Sequence, residues 1–470
     1  MPQTAGSGEL TWMPAWEIRD RIAKGDLSPV EVTEHFLGRI EDLDGTLKTF
    51  RTLDAQGARR QAKQAEDAVR RGDPLGPLHG VPFSVKEHVA VAGMPLMGAG
   101  FPEPVSKRDA LGVQRLRDAG GIVFGTNTMM YTNGLRVGAD GKMVMAFDWE
   151  AEARNPWDTS RVPGWSSAGG AAATSARLVP LAVGTDGGGS TRLPAAYSGV
   201  FGLHPTTTLI PWADYDTPQV SPMMMSMGPL ARYVRDAAIM LQVMAGPDGR
   251  DMTCMQTDPP DYLADIDAGV EGMRLAWTDD YGFTAMYAQE ESDRVIAAVG
   301  EAALGFNELG ATVVGTRESW EDFFPGFVAA TYLFPTGGSR PPRPTPEAWE
   351  HALDSRRRNY DKFRLVLRDH DVLLSATTQL LPRTIEEWAD NWTTGGSRFE
   401  PHHTFAPVYT SHTHMFNWLG FPAASVPCGF VDGLPIGLQI VALPGNEAKI
   451  FRVANAFQRA YPQLEHPPTS

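Results

Sequence analysis

Residues 163–205 read PGWSSAGGAAATSARLVPLAVGTDGGGSTRLPAAYSGVFGLHP. Two features in this stretch are costly unless they are used. The pair Ser166-Ser167 opens a small-residue segment, Ala168–Ala176, that reads as a helix, and Gly187-Gly188-Gly189-Ser190 follows the strand-like run Leu181–Val183. A run of three glycines loses more backbone entropy on folding than any other residue type would. In exchange it offers a turn whose N–H groups can converge on one point with no side chains between them. Such a point stabilises the anion that forms when a carbonyl is attacked, and a serine at the end of the run would stand beside it. Taken alone the run reads first as a flexible loop or as punctuation before Pro194. A phosphate loop lacks support, because neither G-x-x-x-x-G-K-[ST] nor a G-x-G-x-x-G that opens a helix after a strand is present. The G-x-S-x-G elbow also fails: Arg192 fills the last glycine position around Ser190, and Ala168 fills it around Ser166.

Outward from this block, short apolar runs alternate with Gly/Pro-rich connections from Gly72 to about Pro205: Val81–Val85, Ile122–Phe124, Leu181–Val183 and Val200–Leu203. Helix-like segments, Ala110–Ala119 among them, lie between. Alternation of this kind predicts an α/β fold, a mixed sheet covered by helices on both faces. The first 71 residues read as helical, with Ser28-Pro29 as a helix start and a mostly exposed helix from Asp54 to Arg71. Gly228–Ala245 reads as a helix, 291–308 as another, and 273–277 and 311–315 as strands. Residues 317–400 are Trp- and Pro-rich, with PTGGSRPPRPTPE at 335–347 and a charged helix near 347–369. They read as an elaboration on the core, because strand-like segments resume at Pro422–Pro427 and Ile436–Val441. A chain that returns to its sheet near its end predicts a single domain over 1–470, with its catalytic core in 72–205.

Composition bounds the function. Of 470 residues 42% are apolar and 21% charged, a globular mixture, and the formal net charge is −15. A surface this acidic repels phosphate backbones and anionic lipid, so neither nucleic acid nor membrane is an expected partner. Two cysteines, Cys254 and Cys428, build no disulfide framework, and the start MPQTAGSGELTW shows no signal peptide; a reducing cytoplasm is the expected location.

In GVPFSVKE at 80–87, Lys86 follows the apolar strand-like run Val81–Val85. Its default is a solvated surface amine. Were it buried, desolvation would lower its pKa from about 10.4 and leave a neutral amine able to act as a base. With this segment, the block 163–205, RNPWD at 154–158 and NWLGFPAASVPCGFVDGLPIGLQIVALPGNE at 417–447, the chain resembles the amidase signature family of serine hydrolases. The resemblance runs from about residue 10 to 460 and is weakest over 317–400. It implies a Ser–Ser–Lys triad of Lys86, Ser166 and Ser190, with the first serine of the pair held by a cis peptide, and an oxyanion hole of Gly187, Gly188, Gly189 and Ser190. Lys86 would take a proton from Ser166, which takes one from Ser190 as it attacks the carbonyl, with no histidine or cofactor required. Asp186 would anchor the loop. Trp165 stands where the family usually has glycine, and Ala168 replaces another.

The resemblance implies hydrolysis of amides, with esters and carbamates as further substrates, as in free-standing bacterial aryl-acylamidase and urethane-cleaving enzymes acting as monomers or homodimers. Met129-Met130-Tyr131, Trp165 and the run around Met224 are candidate pocket walls, since thioethers adapt to irregular apolar ligands; the methionines are equally ready to fill core. Two other readings stand beside this one. The glutamyl-tRNA amidotransferase component of A type shares the signature and works inside a complex. A metal-dependent amidohydrolase would use His402, His403, His412 and His414, though no matching carboxylate cluster is evident.

Overall fold

Small and β-branched runs alternate along the chain with amphipathic helices, and the computed structural model shows where each goes. It describes residues 7–96, 104–130, 135–137, 143–145, 152–212, 224–331, 344–388, 405–462 and 466–470. The strands in chain order are β1 (Phe50–Leu53), β2 (Pro82–Lys86), β3 (Ile122–Asn127), β4 (Leu135–Val137), β5 (Met143–Met145), β6 (Leu181–Asp186) and β7 (Phe201–His204). They continue as β8 (Ser226–Ala231), β9 (Arg274–Trp277), β10 (Thr312–Gly315), β11 (Val372–Ala376), β12 (Ala423–Val431) and β13 (Leu434–Val441). Among the described residues, eleven of them form one sheet in the order β1-β3-β2-β6-β8-β7-β12-β13-β11-β9-β10, and β4 pairs with β5 apart from it. The sheet is mixed: β2 runs parallel to both β3 and β6, whereas β8, β7, β12 and β13 pair antiparallel.

The period of two along a strand sorts side chains onto the two faces. Ala423, Val441, Leu373 and Ala276 are lateral partners across β12, β13, β11 and β9, and all four join one apolar cluster. One residue along, Ala424, Ile440 and Leu374 are again partners and belong to the other cluster. Phe83 and Val85 of β2 face that other cluster too, so Lys86 is turned to the opposite face. The helices follow their caps. Ser28 makes a capping box with Glu31 ahead of Pro29–Leu47, and the Asp54 side chain accepts from the Gly57 N–H ahead of Ala55–Arg71. No helix among the described residues is long and apolar enough to cross a membrane.

Two expectations fail here. Gly228–Ala245 is not one helix: Ser226–Ala231 is strand β8, and the helix begins at Val234. Gly228 is the reason, since a Cβ there would lie 1.9 Å from the Leu203 carbonyl oxygen, an approach that suits a tightly paired strand. The stretch 317–400 is also more than an elaboration, because it supplies β11, all five of whose residues are buried in the sheet.

Candidate active site

The strand ends bring the site together. Lys86 is the last residue of β2 and Asp186 the last of its parallel neighbour β6, so both sit at the carboxyl edge where open α/β sheets place their ligands. The helix Ala168–Ser175 lies directly on this part of the sheet, and every one of its residues is buried. Its small side chains permit that approach: a Cβ on Gly169 would come within 2.6 Å of the carbonyl oxygens of Thr128 and Thr49. The consequence is that Ser166 and Ser167, just before the helix, are pressed against the Lys86 amine.

Lys86 is only 2% exposed. Its Nζ lies 2.7 Å from Ser166 Oγ, 2.9 Å from Ser167 Oγ, 2.8 Å from Thr185 Oγ1 and 3.2 Å from the Thr185 carbonyl oxygen. Burial lowers its pKa to about 7, against the opposing pull of Asp186 and Glu87. The Ser190 backbone is tied in as well, because the Ser167 N–H donates to the Ser190 carbonyl at 3.2 Å. Among the described residues the Ser190 hydroxyl itself makes no hydrogen bond, so the second link of the expected relay is open without substrate. Catalytic hydrogen bonds commonly tighten only once substrate is bound.

The glycine turn is held from below. Burial by itself would raise the Asp186 carboxyl, but the Arg192 guanidinium holds it well below the usual carboxylate range. Arg192 Nε meets Asp186 Oδ2 at 3.0 Å with both side chains fully buried. Asn417 Nδ2 donates to Asp186 Oδ1 at 2.8 Å, and Gln439 Oε1 accepts from Arg192 Nη1 at 2.9 Å. Two bonds then clamp a single peptide unit. Thr413 Oγ1 donates to the Gly188 carbonyl at 2.8 Å, and the Gly189 N–H donates to Asp186 Oδ1 at 2.6 Å. The Gly189 N–H is thereby directed at Asp186, whereas the N–H groups of Gly187, Gly188 and Ser190 have no acceptor among the described residues. Gly189 has φ +123°, and a Cβ there would lie 2.3 Å from Thr413 Oγ1. No other residue suits that position.

The pocket candidates separate. Trp165 is half-buried and packs edge-on to Trp388, with ring centroids 5.4 Å apart, and beside Tyr409 at 6.1 Å. Met130 and Met224 are buried in one apolar cluster with Trp388 and Tyr409. Met129 instead turns its sulfur to His88 Nδ1, 2.9 Å away, and Met225 approaches Gly187. Tyr131 lies outside the described residues, as do His402 and His403. His412 and His414 are buried, with their Nδ1 atoms 3.1 Å from the Ala376 carbonyl and 2.6 Å from that of Thr410. Among the described residues no group of three or more His, Cys, Asp or Glu side chains is placed to hold a metal ion. Sequence inspection passed over Thr185, His88, Thr413, Asn417 and Gln439. Asn417 and Gln439 lie in the block quoted at 417–447 and Thr185 in that at 163–205, whereas His88 and Thr413 fall outside the quoted blocks.

Comparison with known proteins is consistent along the whole chain. The family model described as Amidase matches residues 31–333 and 336–451. An acylamidase of Rhodococcus erythropolis is 31% identical, the match covering 98% of each chain. The A component of the glutamyl-tRNA(Gln) amidotransferase of Symbiobacterium thermophilum is 32% identical, over 93% of this chain and 94% of its own. The crystal structure of a bacterial aryl acylamidase belonging to the amidase signature enzymes superposes with a TM-score of 0.79 at 25% identity, covering 96% of this chain and 97% of that one.

Proposed function

This chain belongs to the amidase family and hydrolyses amides, and we propose that it does so through an acyl-enzyme on Ser190 armed by Lys86 through Ser166. The observation that carries the assignment is the buried Lys86 amine 2.7 Å from Ser166 Oγ. Counting protons favours Ser166 over Ser167 as the middle residue. The Ser167 hydroxyl donates to the Thr185 carbonyl at 3.1 Å while accepting from the Thr185 N–H at 3.2 Å, so its one proton is committed. A neutral amine has two N–H donors and one lone pair. With the donors on Ser167 Oγ and Thr185 Oγ1, the lone pair is left for the Ser166 hydroxyl.

The steps follow. Ser190 Oγ attacks the acyl carbon and passes its proton to Ser166, which passes its own to Lys86. The oxyanion is received by the N–H groups of Gly187, Gly188 and Ser190, with Gly189 serving to anchor the turn. The relay then reverses to protonate the leaving amine, and water releases the acyl group. Departure of an alcohol needs the same groups, so esters and carbamates are further substrates. The aromatic wall of Trp165, Trp388 and Tyr409 beside Ser166 supports substrates bearing an aryl or bulky apolar group.

The test is hydrolysis of 4-nitroacetanilide by the purified chain, with no partner and no ATP. Turnover that Ser190→Ala abolishes supports the assignment; turnover that survives the substitution overturns it. A second reading, supported by the 32% identity to an amidotransferase component, is that the chain works inside a complex. It predicts no anilide turnover until the other components are added.

A further inference from the structure

The Thr185 hydroxyl accepts from Lys86, although it could equally donate into the amine's lone pair and block it. His88, two residues beyond the lysine, supplies the cause. Its Nε2 is 3.0 Å from Thr185 Oγ1, and its Nδ1 is 2.9 Å from Met129 Sδ. A thioether sulfur only accepts, so Nδ1 carries the ring proton and Nε2 presents a lone pair. Thr185 Oγ1 must then donate to Nε2, which leaves it only lone pairs to offer Lys86. The Trp212 ring lies nearly parallel to that of His88, at 14° with centroids 6.3 Å apart. Burial, and next the Lys86 charge, keep the His88 pKa well below its ordinary value, so the ring stays neutral and Nε2 stays an acceptor.

We propose that His88 is a positioning residue which, acting through the Thr185 hydroxyl, turns the lone pair of Lys86 toward Ser166. It touches neither substrate nor the reacting atoms, and no bond is made or broken at it. The inference rests on Lys86 acting as the base. It predicts that removing the acceptor lets the Thr185 proton swing to the amine and compete with Ser166 for its lone pair.

The test measures 4-nitroacetanilide hydrolysis by wild type, His88→Phe, Thr185→Val, the double variant and His88→Gln, whose side-chain carbonyl can still accept from Thr185. His88→Phe should lower kcat about 10- to 100-fold, part of the 100- to 10,000-fold that a general base contributes, with KM within about twofold. The double variant should be no slower than Thr185→Val alone, because the histidine acts only through that hydroxyl. His88→Gln should recover most of the rate. A merely structural histidine would give losses that multiply and no recovery by glutamine, and either result overturns the proposal, as does a His88→Phe enzyme of wild-type kcat. Should His88→Phe lose its circular dichroism spectrum, His88→Leu replaces it in the cycle. Lys86→Ala, run alongside, separates the two levels. If it stays active the relay itself fails, whereas an inactive Lys86→Ala beside a fully active His88→Phe refutes only the role of the histidine.

Discussion

Two adjacent serines reach the same amine, and the difference between them is one proton. Ser167 has given its proton to the Thr185 carbonyl; Ser166 has not. Ser166→Ala should therefore lower kcat/KM about 1,000-fold or more, in the range of a lost triad member. Ser167→Ala removes an acceptor for Lys86 and the two bonds to the Thr185 backbone but leaves the relay hydroxyl in place, and should cost about tenfold, both read from steady-state anilide hydrolysis. The lysine also sets a trade between stability and activity. Its pKa is depressed to about 7 in the fold from about 10.4 in the unfolded chain. The unfolded chain thus binds the extra proton between these values. The cost to folding is full below about pH 7 and fades as pH rises toward about 10. Lys86→Met should accordingly be inactive, and its urea midpoint should gain most on wild type near pH 6 and least near pH 10. The sequence singles out Lys86, Ser166 and Ser190 because each sits in a motif, and the structure places the Lys86 amine 2.7 Å from Ser166 Oγ. It does not single out Thr185, His88 and Ser167, because their roles depend on which hydroxyl faces which lone pair after β2, β6 and the helix Ala168–Ser175 converge.

At the scale of elements, the turn proposed to receive the oxyanion is made by a glycine run but shaped by a distant helix. Thr413 precedes the helix His414–Leu419 and fixes the Gly188 carbonyl, while Asp186 fixes the N–H of the same peptide. Thr413→Val keeps the shape of the side chain and removes the donor. It should lower kcat about 10- to 100-fold with an unchanged circular dichroism spectrum, approaching the loss of one oxyanion donor. Arg192→Met is expected to act on folding instead. It strands the buried Asp186 charge, and breaking such a pair costs about 3–5 kcal/mol, which urea unfolding would register. Several elements were readable in advance, the helix after Ser28-Pro29 and the strand ending at Lys86 above all, because caps and apolar runs are local signals. The misassigned segment at 228–245 shows the limit. Gly228-Pro229 resembles a helix start, yet the close approach of the Leu203 carbonyl, a long-range contact, makes it strand. Strand β11 was hidden for a related reason: Val372–Ala376 is a short apolar run that only its neighbours β13 and β9 identify as sheet. The turn joining β12 and β13 could have been read, since Asp432 and Gly433 have φ of 53° and 76°, the Asp-Gly pairing that tight hairpins favour.

At the scale of the whole molecule, one sheet runs from Phe50 to Val441, and the site draws on residues from Lys86 to Gln439. The early chain is fastened to this body by Arg177, which donates to the carbonyls of Thr11 and Met13, and by Asp236, whose carboxylate accepts the N–H groups of Ala15 and Trp16. The net charge of −15 repels polyanions, and a neutral small amide meets no such barrier. The most direct test is therefore made on the purified chain alone: the rate of the nitrophenol burst from a 4-nitrophenyl ester between pH 5.5 and 9.5, with the acylated peptide identified by mass spectrometry. A base of pKa about 7 that must be neutral to act predicts a burst rate rising about tenfold per pH unit below 7, level above it, with the acyl group on Ser190. A rate that climbs without levelling toward pH 9.5, as an unperturbed lysine would give, or an acyl group carried by any residue other than Ser190, would contradict it.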